Sequence, residues 1–360
     1  MPVRVLIVDD SALVRRALTE GLSADPDIEV VGSAIDPYVA RDKILQLQPD
    51  VLTLDIEMPR MDGLTFLKVL MKHHPMPVIV MSSLTTAGST YALEALQAGA
   101  VDVVAKPGNA NCVAEETALL AEKIKAVARA RVRHTSTPAS ASAPTPASPK
   151  SPGRKPPSGG RRYAAHALIL IGASTGGTKA IETVLTALPK DLPGILIVQH
   201  IPAQFSLAFA NRLNELCRLE VREAKNGDVL QPGLALVAPG GFHMIPRWNS
   251  THYAVTTTIG PPVHHQRPSV DVLFDSAARA GSGPYTLAAL LTGMGADGAA
   301  GMLALRRAGA TTFAQNEETC VVFGMPKEAI QLGAAQRVLP LEHIAAGIDR
   351  FADSISLIRT

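Results

Sequence analysis

The chain has 360 residues, 47% hydrophobic and only 4% aromatic, with a formal net charge of +2. That is material for about two globular cores, and so few aromatic rings argue against a stacking platform for single-stranded nucleic acid. Cys112, Cys217 and Cys320 are scattered and outside C-x-x-C spacing, which excludes a disulfide framework or thiolate zinc site and points to a reducing compartment.

The first residues, Met-Pro-Val-Arg-Val-Leu-Ile-Val, enter a strand pattern without the n-region or cleavage site of a secretory signal. No apolar run approaches the roughly 18 residues that span a bilayer. A soluble, cytoplasmic protein is expected. Over residues 1–128 a short apolar run followed by an amphipathic helix pattern recurs, with runs at Val3–Val8, Glu29–Val31, Val51–Leu54, Val78–Met81 and Val101–Val104. Such alternation predicts an α/β domain with a parallel, doubly wound sheet. In its first helix Val14, Ala17, Leu18, Gly21 and Leu22 form the apolar stripe, with Ser11 as N-cap.

Ligands of such sheets sit beyond the strand C-termini, and polar residues fall there. Asp9 and Asp10 follow the first run, Asp55 the third, Ser82 and Ser83 the fourth, and Lys106 the fifth. Three carboxylates on one edge repel unless a cation is present. An oxygen-only ligand set suits a hard ion such as Mg2+. A lysine and a hydroxyl beside it would hold added phosphoryl oxygens. The alternative is a set of unrelated polar loop caps.

Residues 129–162 contain seven prolines, eight of the chain's 34 Lys/Arg and none of its 32 Asp/Glu, which leaves 26 basic against 32 acidic residues elsewhere. This Pro/Ala/Ser-rich basic segment cannot bury enough surface to offset its ordering entropy. It is expected to be a disordered linker spanning roughly 30–35 Å. Its charge would also suit nucleic acid or acidic lipid, but a solvated linker is the simpler reading.

From residue 163 the alternation resumes, as a second, mainly parallel α/β domain over 163–360. Leu168–Ile171 reads as a buried strand stopping at Gly172, and a helix pattern from Thr178 carries Ile181, Val184 and Leu185 on one face. Between them Gly172-Ala-Ser-Thr-Gly176 is a G-x-S-x-G turn that would expose Ser174 near backbone N–H groups fit for an oxyanion. A glycine-rich phosphate loop or plain tight turn is the alternative. Further strands are expected at Ile195–Gln199, Leu234–Val237, Met244–Pro246, Tyr253–Thr258 and Leu287–Leu291. The pair flanking Trp248–Thr251 suggests an antiparallel hairpin. Helices are expected at Ser206–Leu216, Val270–Ala280 and Leu341–Ile358, and after Gly298.

Ser174, His200 and Asp297 each follow the C-terminal end of a buried strand. A serine needs a base, and the base needs a carboxylate to hold its tautomer. The chain order Ser, His, Asp differs from that of α/β-hydrolases, but a triad is defined by geometry. The alternative reads His200 as a satisfied loop histidine and Asp297 as the N-cap of the following helix. His243 and His252 begin strands at the wrong edge, His166 starts a strand, and His343 lies in the last helix. His264 and His265 are the rivals, as substrate contacts; as metal ligands they need a third donor that their spacing does not offer.

Two resemblances bear on these patterns. Val8-Asp9-Asp10-Ser11, Asp55-Ile-Glu-Met-Pro-Arg-Met-Asp-Gly63 and Lys106-Pro107 resemble the receiver domain of two-component response regulators, over the N-terminal third. That resemblance implies phosphoryl transfer to Asp55 from a histidine kinase. It implies Mg2+ held by Asp10, Asp55 and the backbone carbonyl of Glu57, with Asp9 behind them. Ser82 would be the switch hydroxyl and Lys106 the phosphate clamp. Receivers often carry Tyr or Phe as a rotamer switch where Val103 stands, and valine cannot swing in that way.

Gly172-Ala-Ser-Thr-Gly-Gly177, Val198-Gln-His-Ile-Pro202, Arg267-Pro-Ser-Val-Asp271, Leu291-Thr-Gly-Met-Gly-Ala-Asp-Gly-Ala-Ala-Gly301 and the run from Gln315 to Pro326 resemble the chemotaxis methylesterase family CheB. The resemblance spans nearly the whole chain; only the long basic linker is unlike. It implies Ser174 as nucleophile, His200 as base, Asp297 as orienting acid, the Met294 N–H as oxyanion donor and Thr175 as a close neighbour. The implied activity is a phosphorylation-activated protein-glutamate methylesterase and glutamine deamidase. Methylated chemoreceptors would be its substrate and the kinase CheA its phosphodonor, with no cofactor in the catalytic domain and no nucleic acid partner. The competing readings are a non-enzymatic response regulator with a DNA- or protein-binding output domain and a nucleotide-binding output domain. No basic recognition helix, P-loop ending or G-x-G-x-x-G supports them.

Overall fold

The structure, a computed structural model, describes residues 1–58, 61–83, 85–106, 113–128 and 161–357. The expected linker lies outside these except for Arg161 and Arg162, as do Pro107 and Cys112.

The N-terminal domain alternates as predicted: β1 (Val3–Val8), α1 (Ala12–Leu22), β2 (Ile28–Ala34), α2 (Pro37–Leu47), β3 (Val51–Asp55), α3 (Gly63–His73), β4 (Val78–Ser82), α4 (Thr86–Gln97), β5 (Asp102–Ala105) and α5 (Val113–Ala128). Its sheet has the order β2-β1-β3-β4-β5, all parallel. Successive strand residues point to opposite faces, so each strand serves two cores. Val5 and Ile7 meet Leu18 and Leu22 of α1 and Ile124 of α5. Leu6 and Val8 meet Ile44 of α2, Leu67 of α3 and Ala92 of α4. Burial on both faces is why the inner strands β1, β3 and β4 read as mostly apolar runs, while the edge strand β2 carries the exposed Glu29. Ser11, Asp36 and Asp62 cap α1, α2 and α3, each accepting a backbone N–H from the first turn.

The C-terminal domain comprises β6 (Leu168–Ala173), α6 (Gly177–Ala187), β7 (Gly194–Gln199), α7 (Ala203–Leu216), β8 (Glu220–Glu223), β9 (Leu234–Val237), β10 (His243–Trp248), β11 (Tyr253–Thr258), α8 (Val270–Arg279), β12 (Thr286–Leu290), α9 (Ala299–Arg307), β13 (Thr311–Gln315), α10 (Met325–Gln331), β14 (Arg337–Leu339) and α11 (Leu341–Ser354). Seven of the strands form a parallel sheet in the order β14-β13-β12-β6-β7-β9-β8. The expected hairpin is present as antiparallel β10 and β11, with Trp248 opposite Tyr253. From β6 the chain winds outward to β7 and β9, then returns to β12 on the other side. The crevice between β6 and β12 is therefore the switch point at which such sheets hold ligands.

Several boundaries differ from the sequence reading: β2, α7 and β10 extend beyond the expected ranges, and two other changes bear on the site and the chain's end. β6 runs on through Gly172 and Ala173, which still pair with Val198 and Gln199 of β7. α11 stops at Ser354, because Ser356 turns back to bridge Tyr163. β8, β13 and β14 carry polar residues or are very short, and were not legible as strands.

The two domains meet through α4 and α7. Leu93 of α4 is buried in the C-terminal core beside Phe209, and Phe205 of α7 is buried in the N-terminal core. Beside this contact Thr175 Oγ1 donates to Asp102 Oδ2 of β5 at 2.7 Å. Asp102 also pairs with Lys123 of α5 at 2.7 Å.

Candidate functional site

Ser174, His200 and Asp297 converge at the switch point. Ala173 and Gln199 are register partners, so Ser174 and His200 leave adjacent strands at one level. The His200 N–H donates to the Ala173 carbonyl at 3.0 Å. Asp297 arrives from the loop after β12, with Oδ2 2.7 Å from His200 Nε2. All three are buried, at 6%, 8% and 1% exposure. The Ser174 hydroxyl is not hydrogen-bonded to His200, and loose nucleophile–base geometry is common before substrate binds. Since Nε2 faces Asp297, Nδ1 is the nitrogen left to accept a serine proton.

Asp297 is not the cap of the helix that follows it. α9 is capped by Gly298, without a side-chain bond. The carboxylate turns instead to the N-terminus of α8, accepting the N–H groups of Val270 and Asp271 at 2.7 and 3.0 Å and the Ser269 hydroxyl at 2.7 Å. Burial opposes its charge, but the bond and charge of His200, the Asp271 N–H and the Ser269 hydroxyl prevail and hold its pKa below the ordinary carboxylate value. An ionised Asp297 keeps the imidazole proton on Nε2 and the Nδ1 lone pair free.

Opposite the serine, Gly293 brings the β12 loop close. A Cβ there would lie 2.7 Å from the Ser174 Cβ and 2.3 Å from the Met325 sulfur. Glycine thus lets the loop backbone at residue 293 pass close to the Ser174 turn. Thr175 is anchored on this side, its carbonyl accepting the Thr292 hydroxyl at 2.9 Å.

The other histidines are distributed differently from expectation. His243 is not at a remote edge: its Nδ1 lies 3.2 Å from the Ser269 N–H, one residue link from Asp297. Edge logic for the parallel sheet does not apply to it, because β10 belongs to the separate hairpin. His264 and His265 occupy a tight turn, both with positive φ. His264 contacts Asp271 at 3.1 Å, and with Asp297 these make a clustered His-Asp-Asp group that does not include His265, so the histidine pair gains no third ligand. Both oxygens of Asp297 already accept protein hydrogen bonds, which leaves a metal there little to bind. Burial and the neighbouring Asp297 carboxylate raise the pKa of Asp271 against the Gly301 N–H and His264. His166 packs tilted against Trp248, with ring centroids 3.9 Å apart, and His252 bonds Asn249. Sequence reasoning assigned no role to Ser269, Asp271, Gln199, Thr292 or Asp102. The first four lie inside the motif runs, which was the available signal; Asp102 does not.

At the N-terminal sheet edge, Asp9, Asp10 and Asp55 offer oxygens within 4.8 Å of one another. Lys106 Nζ lies 2.6 Å from Asp55 and 3.8 Å from Asp9. Burial lifts the Asp55 pKa to about 6, against the pull of Lys106, and burial also raises that of Asp9. Asp9 Oδ2 is buried without a hydrogen-bond partner. A donor set of oxygens alone, one of them orphaned, fits Mg2+. Ser82 is fully buried and bonds the Gly88 carbonyl at 3.1 Å, while Ser83 bonds the Glu57 carboxylate at 2.6 Å. Val103 is buried in the core, 4% exposed, with no ring to reorient.

Comparison with known proteins agrees with this two-part layout. Residues 169–348 match the CheB methylesterase family and residues 5–117 the response regulator receiver domain. A protein-glutamate methylesterase/protein-glutamine glutaminase of Syntrophus aciditrophicus is 53% identical over 97% of this chain and 98% of its own length. A counterpart from Pseudomonas aeruginosa is 51% identical over 97% of this chain and 96% of its own. The crystal structure of the Thermotoga maritima CheB methylesterase catalytic domain aligns with 53% of this chain and 98% of its own, at 36% identity and a TM-score of 0.50. Among the described residues no helix is long and apolar enough to cross a membrane. A receiver sheet joined to a switch-point serine site, with relatives matched end to end, makes this chain a member of the CheB methylesterase family.

Proposed function

We propose that the chain is a phosphorylation-regulated protein-glutamate methylesterase and protein-glutamine glutaminase acting on chemoreceptors, with Ser174, His200 and Asp297 as its catalytic triad. The observation that carries this is the His200–Asp297 bond at 2.7 Å beside a serine on the adjoining strand end. His200 Nδ1 takes the Ser174 proton as the hydroxyl attacks a glutamate γ-methyl ester. The tetrahedral oxygen receives the Met294 N–H, a donor worth about 3 kcal/mol in comparable sites. His200 returns the proton to the departing methanol, or to ammonia when glutamine is the substrate. Water, deprotonated by His200, then releases glutamate and regenerates Ser174.

Asp55 is the phosphoryl acceptor in this reading, with the kinase CheA as donor. Asp10, Asp55 and the Glu57 carbonyl would hold Mg2+, with Asp9 behind them. Bound Mg2+ would offset the negative charge of the incoming phosphoryl oxygens. Lys106 then pairs with the phosphoryl group, and Ser82 leaves Gly88 to bond it. Acetyl phosphate with Mg2+ should label the wild-type protein and leave Asp55→Asn unlabelled; equal incorporation in both would refute the acceptor.

The unphosphorylated receiver holds the esterase down. Asp102 grips the hydroxyl next to the nucleophile, and a hydrogen bond to a charged group contributes about 1.5–3 kcal/mol. Asp102→Ala should therefore raise methanol release from methylated receptor membranes by the unphosphorylated full-length protein about tenfold. An unchanged basal rate with intact stimulation by acetyl phosphate would remove Asp102 from the regulation. Membranes carrying methylated receptors that release no methanol with phosphorylated wild-type protein would overturn the esterase reading itself.

A further inference from the structure

The β6–β7 ladder ends at the Ala173–Gln199 pair, yet Ser174 and His200 lie beyond it. One main-chain bond, from the His200 N–H to the Ala173 carbonyl, continues the link, and a side chain reinforces it. Gln199, 2% exposed, places Nε2 2.8 Å from the Ser174 carbonyl and 3.0 Å from the His200 carbonyl. An amide NH2 has two hydrogens, one for each. Reversing the amide would set its oxygen against two carbonyl oxygens, so the orientation is fixed. Oε1 is left buried without a partner, an arrangement a fold retains only for a reason. Room for it exists because residue 177 is glycine: a Cβ there would lie 2.1 Å from Oε1.

Reach matters more for this base than for one acting through Nε2. Nδ1 is the ring nitrogen nearer the main chain, so its place follows the backbone of residue 200 closely. The Ser174 backbone is fixed from the same amide, with the Gly177 N–H as second donor at 2.7 Å.

We propose that Gln199 is a positioning residue that sets the Ser174 hydroxyl against His200 Nδ1 by holding both main-chain carbonyls with one amide. This rests on the reading of Ser174 as nucleophile and His200 as base. Misplacement of reacting groups by about 1 Å costs roughly 10²-fold in rate. In phosphorylated full-length protein, Gln199→Met, which keeps the volume and drops both donors, should lower kcat about 10²-fold with KM within about twofold. Gln199→Glu adds a signature that a purely structural role lacks. Its neutral acid keeps one donor, whereas its carboxylate has none and repels both carbonyls. Relative to wild type, its activity should be highest at low pH and fall as pH rises through the introduced carboxyl's pKa, which burial pushes up.

The assay is methanol release from methylated receptor membranes between pH 5 and 9, with Ser174→Ala in parallel. A folded Gln199→Met protein with wild-type kcat, or a Gln199→Glu profile parallel to wild type, overturns the proposal. If Gln199→Met does not fold, the Gln199→Glu profile decides alone. Turnover retained by Ser174→Ala would strike the nucleophile reading, and this inference with it. A silent Ser174→Ala beside unaffected Gln199 variants would strike the positioning role alone.

Discussion

Ser174→Ala should lower methanol release from methylated receptors to background, a loss of about 10⁶ in kcat by analogy with a serine protease stripped of its nucleophile. The fold should survive. Ser174 contributes to the turn through its main chain, donating to the Thr292 carbonyl and accepting from Gly177, and both bonds are independent of the hydroxyl. The His200–Asp297 pair stays in place, so receptor binding and the melting temperature should match wild type. Covalent labelling by a fluorophosphonate should vanish with the activity. A well-folded Ser174→Ala protein that turns over at the wild-type rate would end the triad assignment.

Asp297→Asn carries the second largest effect. The wild-type carboxylate accepts four protein hydrogen bonds: Ser269 Oγ and the Asp271 N–H at Oδ1, and His200 and the Val270 N–H at Oδ2. An amide with its oxygen at the Oδ1 place keeps the first two. Its NH2 then meets the Val270 N–H and forces His200 Nε2 to accept. The imidazole proton moves to Nδ1, where it faces Ser174 and blocks deprotonation. A tautomer error of this kind costs about 10⁴ in kcat. Losing a helix cap alone costs only about 1 kcal/mol of stability. Steady-state methanol release beside a thermal melt separates the two roles. A rate loss below tenfold with a lowered melting temperature would make Asp297 a cap of α8 and nothing more.

The reading of Asp297 shows how far local rules reach. An aspartate just before a helix is a good N-cap candidate, and Asp297 does satisfy a helix N-terminus. That helix is α8, whose first turn lies 26 and 27 residues away in sequence. Local propensity sees only neighbours along the chain. The same holds for His243, placed by the hairpin beside Ser269, and for Asp271, brought to Asp297 by the crossing of α8 with the β12 loop.

The sequence by itself determined the two alternating α/β units, the largely apolar inner strands that both-face burial demands, and the edge of each sheet at which polar residues gather. Polar residues at strand C-termini were enough to single out Asp9, Asp10, Asp55 and Lys106 on one sheet and Ser174, His200 and Asp297 on the other. Only the tertiary structure decided which imidazole nitrogen faces the acid, what Gln199 holds, and that the receiver's Asp102 reaches Thr175. Periodicity records which face of an element is buried, because burial selects residue type at every turn or every second residue. A single hydrogen bond between elements 73 or 97 residues apart leaves no such periodic trace, since it depends on how finished layers dock.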